Sequence, residues 1–259
     1  MGLRWEKIIS PAKMKASVEL IYAKEQTPEI CLAAVRQDGS LLMLVREQTP
    51  EICMEAVKQN GLSLLYVREQ TPEICLEAVK QCSDALAFVR EQTPEICMEA
   101  VKRDGMALMF VKKQTPEICL AAVWQDCHAL VYVREQTPEI CMEAVKRDGD
   151  LLSRVREQTP EICLEAVKQD CNALTYVVEQ TPEICLAAVR QNGSLLVFVR
   201  EQTPEICLEA VGQKSSVIAI VAEEYKGICE EYLRIRKAGK SSTDKETESE
   251  ARKTSFFGN

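Results

Sequence analysis

Apolar and polar positions recur along this chain every 22 residues. The string T-P-E-I-C begins at Thr27, Thr49, Thr71, Thr93, Thr115, Thr137, Thr159, Thr181 and Thr203, and nine such repeats occupy 198 of the 259 residues. A fixed period of this size marks a repeat architecture and outranks local propensity. A typical repeat, TPEICLEAVKQNGLSLLYVREQ, runs from Thr49 to Gln70 and defines positions 1 to 22. Ile, Cys, Leu or Met, Ala and Val at positions 4, 5, 6, 8 and 9 sweep roughly 200° at helical spacing, which predicts a helix buried on more than one side. Positions 3, 7, 10 and 11 are mostly charged or amide residues and should face water. In the second half, Leu or Ala at most copies of position 15, Leu or Ile at 16 and Val at 19 predict a shorter helix of about two turns, too short to be stable alone.

The helix boundaries are written in residue types. Thr at position 1 can cap, Pro at position 2 suits the first helical residue, and Glu at position 3 faces the positive helix end. Asp-Gly or Asn-Gly at positions 12 and 13, as in Asp38-Gly39 and Asn60-Gly61, predicts a left-handed glycine ending the helix. Ser83, Cys127, Cys171 and Ser215 replace that glycine in repeats three, five, seven and nine, so the left-handed cap is not expected there. A second period of 44 residues lies beneath the first: Met54, Met98 and Met142 fill position 6 in alternate repeats.

A helix pair of this kind cannot bury its own apolar arcs, and stacking supplies the missing partner. The predicted fold is therefore all-α, an α-solenoid of nine 22-residue helix pairs with helical caps. The expected divisions are an N-terminal cap with a degenerate half repeat over 1–26, the solenoid over 27–222, a C-terminal capping helix over 223–238 and a disordered polar tail over 239–259.

The pattern A-V-x-Q-[DN]-G-x-x-L-x-[FY]-V, best seen from Ala188 to Val199, resembles the repeats of domain of unknown function 4116. The likeness runs from Thr27 to about Val221. It implies a helical repeat protein and carries no activity or catalytic residue with it.

Composition narrows the function classes. No run approaches the roughly 18 uncharged apolar residues of a spanning helix, and the first 26 residues lack the apolar core of a signal peptide. Thirteen Cys accompany a single His. Nine of the thiols sit at position 5, on the buried arc, and read as small core residues. Stacked helices hold equivalent Cα atoms too far apart for disulfides, so a reducing, cytoplasmic setting is expected. No Cys-x-x-Cys pair or histidine-bearing zinc pattern occurs, so no metal site or cofactor is expected. Cys127 and His128 adjoin, but chain neighbours usually diverge, and no triad, phosphate loop or paired-carboxylate motif appears. The expectation is a protein that is not an enzyme.

The net charge of −8 understates the repeats. Residues 1–26 and 237–259 carry +2 and +1, leaving −11 on the stretch between them. Phosphate binding needs cationic neutralisation, so no nucleic-acid partner is expected, nor a membrane. At helical spacing, positions 14, 17 and 21 fall together on the exposed side of the short helix, with position 18 on its flank. Positions 14 and 17 vary most among the repeats, position 18 is mostly aromatic, and position 21 is almost always Glu. Met109, His128, Tyr132, Glu135, Arg154 and Tyr176 on this stripe, with Trp124 where seven other repeats carry Lys or Arg, are the candidate partner-binding residues. The implied partner is a protein or peptide of basic and apolar character. The alternative is a structural spacer or self-assembling rod without a specific ligand, since imperfectly capped solenoid ends pair readily.

Overall fold

A computed structural model describes residues 11–238, with side chains from residue 15 onward. The polar tail expected over 239–259, and residues 1–10 of the expected N-terminal cap, lie outside the described residues. The fold is an all-α solenoid, with no strand among the described residues. The chain divides into two compact units, Met1–Ala144 and Val145–Asn259.

The first unit opens with helix Pro11–Tyr22, followed by helix pairs beginning Pro28–Gln37 with Gly39–Leu44 and ending Pro116–Gln125 with Cys127–Tyr132. In the second unit the same pairing runs through Pro160–Gln169 with Cys171–Tyr176 to Pro204–Gln213 with Ser215–Ile220, and residues 223–238 are helical. Within each unit successive pairs pack in succession. In the repeat from Thr49 the predicted arc is buried at positions 4, 5, 8 and 9 and only half-buried at position 6, Met54. Ile52, Cys53, Ala56 and Val57 of one long helix are at most 3% exposed, as is the short-helix Leu64. Each fully buried Leu or Ile contributes roughly 1.5–3 kcal/mol, and a pair obtains that burial only from its neighbours.

The long helices start as the residue types require. Thr71 accepts the Ile74 N–H at its Oγ1 (3.3 Å) behind the Pro72 first turn. Hydrogen bonds from the backbone N–H at Glu73 and from the Thr71 hydroxyl hold the Glu73 carboxyl below the usual carboxylate range. Thr27, in the first repeat, makes no such side-chain cap bond.

The helix ends differ from expectation. No glycine among the described residues has a positive φ, and the residue at position 12 is extended, as at Asn60 (φ −150°, ψ 110°). In the repeats that carry glycine at position 13, the next repeat lies close against it. A Cβ on Gly105 would stand 2.4 Å from the Ala122 carbonyl oxygen in the next repeat, and one on Gly39 would stand 2.3 Å from that of Ala56. Because the conformation is not left-handed, the repeats with Ser83, Cys127 and Cys171 keep the same turn.

The second element of each pair is a six-residue 3-10 helix. Its first bond sets that winding: the Leu41 N–H donates to the Asp38 carbonyl three residues back (3.0 Å), while the Asp38 carboxylate accepts the Ser40 N–H (3.0 Å). The expected half repeat before Thr27 keeps the register, with Leu20 fully buried in place of Leu42 or Leu64, but it is part of α-helix Pro11–Tyr22.

Candidate functional site

Three residues per turn align side chains three apart, so a 3-10 helix over positions 13 to 18 presents three rows. Positions 13 and 16 face the core, as Gly105 and Leu108 do, and position 15 is buried with them. Positions 14 and 17 form the outward row. In the first unit this row is largely apolar and open: Met43 is 57% exposed, Leu65 52%, Met109 49%, and Leu62 and Val131 are also exposed. The row of the second unit is mostly polar, with Asp150, Ser153, Asn172 and Thr175 exposed.

The candidate residues distribute over these features unevenly. Met109 and His128 stand on the outward row, Tyr132 is half-buried at position 18, and Arg154 and Tyr176 occupy position 18 exposed. Glu135 is not on the row. The 3-10 helix ends at position 18, position 19 is extended (Val133 ψ 119°), and Glu135 lies in the bend that follows. The 100° helical spacing that grouped position 21 with 14 and 17 does not apply past that exit. Trp124, 66% exposed, belongs to the long helix Pro116–Gln125, on the same exposed position as Lys80 and Lys102.

Beneath the row runs a polar ladder that pattern reading had not singled out. A short helix leaves its last carbonyls without partners. The glutamine at position 22 and the basic residue at position 20 supply donors to them. Gln48 donates from Nε2 to the Leu42 carbonyl (3.2 Å) and to the Tyr66 carbonyl of the next repeat (3.0 Å); its Oε1 accepts the Arg68 N–H (2.9 Å) and the Cys53 thiol (3.8 Å). Gln70, Gln92 and Gln114 in the first unit and Gln158 in the second repeat this set. Arg68 donates from Nη1 and Nη2 to the Arg46 and Val45 carbonyls (2.6 and 3.1 Å), and Arg90, Lys112 and Arg134 do the same one repeat later each. The position-5 thiols are therefore core residues with a weak donor role. Burial pushes them up, Cys119 to about 11; in Cys207 burial and the neighbouring Cys229 sulfur do so, also to about 11.

Among the described residues, one group could hold a metal ion. Carboxylate, thiol and imidazole atoms of Asp126, Cys127 and His128 all lie within 4.8 Å of one another. The expectation that adjacent Cys127 and His128 diverge fails, because Asp126 caps the 3-10 helix, accepts the His128 N–H (2.9 Å) and draws the ring back to 3.2 Å from its Oδ1.

Two clefts in the first unit, of about 260 and 220 Å³, lie between successive bends; Arg68, Glu69 and Thr71 line both. A larger hollow of about 620 Å³ lies between helices Pro11–Tyr22 and Pro28–Gln37, lined by Ala16, Val18, Tyr22, Ile30 and Ala33 among others.

The family model of a domain of unknown function (DUF4116) matches residues 27–71, 49–92, 137–180 and 159–203, which together span half of the chain. The chain belongs to the DUF4116 family. No curated protein and no solved structure matches it. In this DUF4116 chain no helix among the described residues is long and apolar enough to cross a membrane.

Proposed function

We propose that this DUF4116 chain is a non-catalytic repeat scaffold that binds a protein or peptide along the short-helix face of its first unit. The observation that supports this reading is the outward row of Met43, Leu62, Leu65, Met109 and Val131, apolar side chains left open to water on elements buried at positions 15 and 16 and half-buried at position 18. Exposed apolar surface of this kind marks interaction sites. The acidic balance of the repeats favours a partner segment that joins basic to apolar residues. Nothing in the polar ladder supplies a reactive pair, since its glutamines, arginines and thiols are engaged with backbone carbonyls and N–H groups.

The test is a triple substitution, Leu62→Ser, Leu65→Ser and Met109→Ser, in a pull-down from lysate read by mass spectrometry. All three are surface positions, so helicity and stability should stay within about 0.5 kcal/mol of the parent. Captured partners should be lost, and parental capture should weaken with salt. Unaltered capture by the triple variant removes this face from consideration.

A second reading, a self-assembling rod, draws on the N-terminal helix, where Val18, Ile21 and Tyr22 are 47%, 48% and 79% exposed. Light scattering over a dilution series separates the two: growth with concentration that Tyr22→Ser abolishes favours assembly, and a constant monomer mass rejects it.

A further inference from the structure

We propose that Asp126, Cys127 and His128 form a binding site for a divalent transition-metal ion of borderline softness, with zinc as the best match. Imidazole, thiolate and carboxylate are the three ligand types zinc takes, with Zn–S near 2.3 Å and Zn–N and Zn–O near 2.0–2.2 Å. A tetrahedron built on those bonds places sulfur and nitrogen about 3.5 Å apart and nitrogen and oxygen about 3.3 Å apart. The corresponding separations here are 3.6 Å from Cys127 Sγ to His128 Nδ1 and 3.2 Å from His128 Nδ1 to Asp126 Oδ1. Two of the three donor separations thus match one ion's coordination sphere, and the third lies within 4.8 Å.

The turn that brings them together belongs to the repeat, and the donor set belongs to this repeat alone. His128 is the chain's only histidine. The equivalent turn of repeat seven, Asp170-Cys171-Asn172, is built the same way: its aspartate accepts the Asn172 N–H (2.8 Å), and an amide stands where the imidazole stands in repeat five. Asp126 is held as the cap of the 3-10 helix, which orients one carboxylate oxygen toward the ring. The His128 and Asp126 side chains are 62% and 37% exposed, which leaves room at the ion for water or a fourth donor. On binding, the Cys127 thiol releases its proton to solvent and its sulfur lone pair forms the metal bond, so affinity should rise with pH. The site stands independently of the partner reading.

The probe is Co²⁺, titrated into the reduced, metal-stripped full chain. The expected result is a sulfur-to-cobalt charge-transfer absorption that saturates at one equivalent and is displaced by Zn²⁺. Cys127→Ser, a near-isosteric change at a half-buried position, and His128→Asn, at an exposed one, should abolish it or weaken binding at least about tenfold, with circular dichroism unchanged. Cys171→Ser in the companion turn should leave it intact. Absence of the band in the parent chain overturns the proposal, as does a band that survives in Cys127→Ser or His128→Asn.

Discussion

Gln92 offers the sharpest test of what joins one repeat to the next. Its Nε2 donates to Leu86 and Phe110 carbonyls at 3.2 and 2.9 Å, and its Oε1 accepts the Lys112 N–H at 2.8 Å and the Cys97 thiol at 3.7 Å. Gln92→Met keeps the volume and removes all four bonds. Three N–H···O bonds at roughly 0.5–1.5 kcal/mol each, with two carbonyls and an amide left short of partners, give an expected loss of about 2–4 kcal/mol. In a linear array the loss falls on one interface, so urea unfolding followed by circular dichroism should shift to lower denaturant and broaden or split. Gln92→Glu adds a sign. The carboxylate keeps the acceptor role but turns negative charge on two carbonyls, so its folded pKa is raised above the unfolded value of about 4.3. Stability should then be closest to the parent below about pH 4 and fall as pH rises through the raised folded value. A Met variant within about 0.5 kcal/mol of the parent, with an equally sharp transition, would refute the ladder as the inter-repeat tie.

Two further outcomes follow from the packing. Gly105→Ala should cost about 1–3 kcal/mol by overpacking, because its Cβ would stand 2.4 Å from the Ala122 carbonyl oxygen in the next repeat; an unchanged melting temperature would contradict that reading. The buried thiols should make the fold alkali-sensitive: their folded pKa values are raised, so their contribution is complete below about pH 9 and is lost as pH climbs toward the values of about 11 at Cys119 and Cys207. Melting temperatures that stay level between about pH 8 and pH 10.5 would count against it.

The repeat register, the helix start at Thr-Pro-Glu and the buried Ile-Cys-Ala-Val set are legible in residue order, because capping chemistry and helical periodicity act within a dozen neighbouring residues. The outward row at positions 14 and 17 was legible for the same reason. Gln92 and its equivalents were visible as constant residues, yet in repeats copied this closely constancy marks nothing out. Their role depends on carbonyls 18 residues ahead in the next repeat, which local periodicity does not reach. What presses on Gly105 is the approach of Ala122, not its own backbone angles. Glu135 left the predicted row because the short element winds as a 3-10 helix and ends early. Asp126, Cys127 and His128 converge because a capping bond folds the imidazole back on its own turn. What the residue order determined by itself is the periodic element and its apolar face; what only the tertiary structure decided is how each turn is wound and tied, since packing distance and orphaned backbone groups exist only once repeats are stacked.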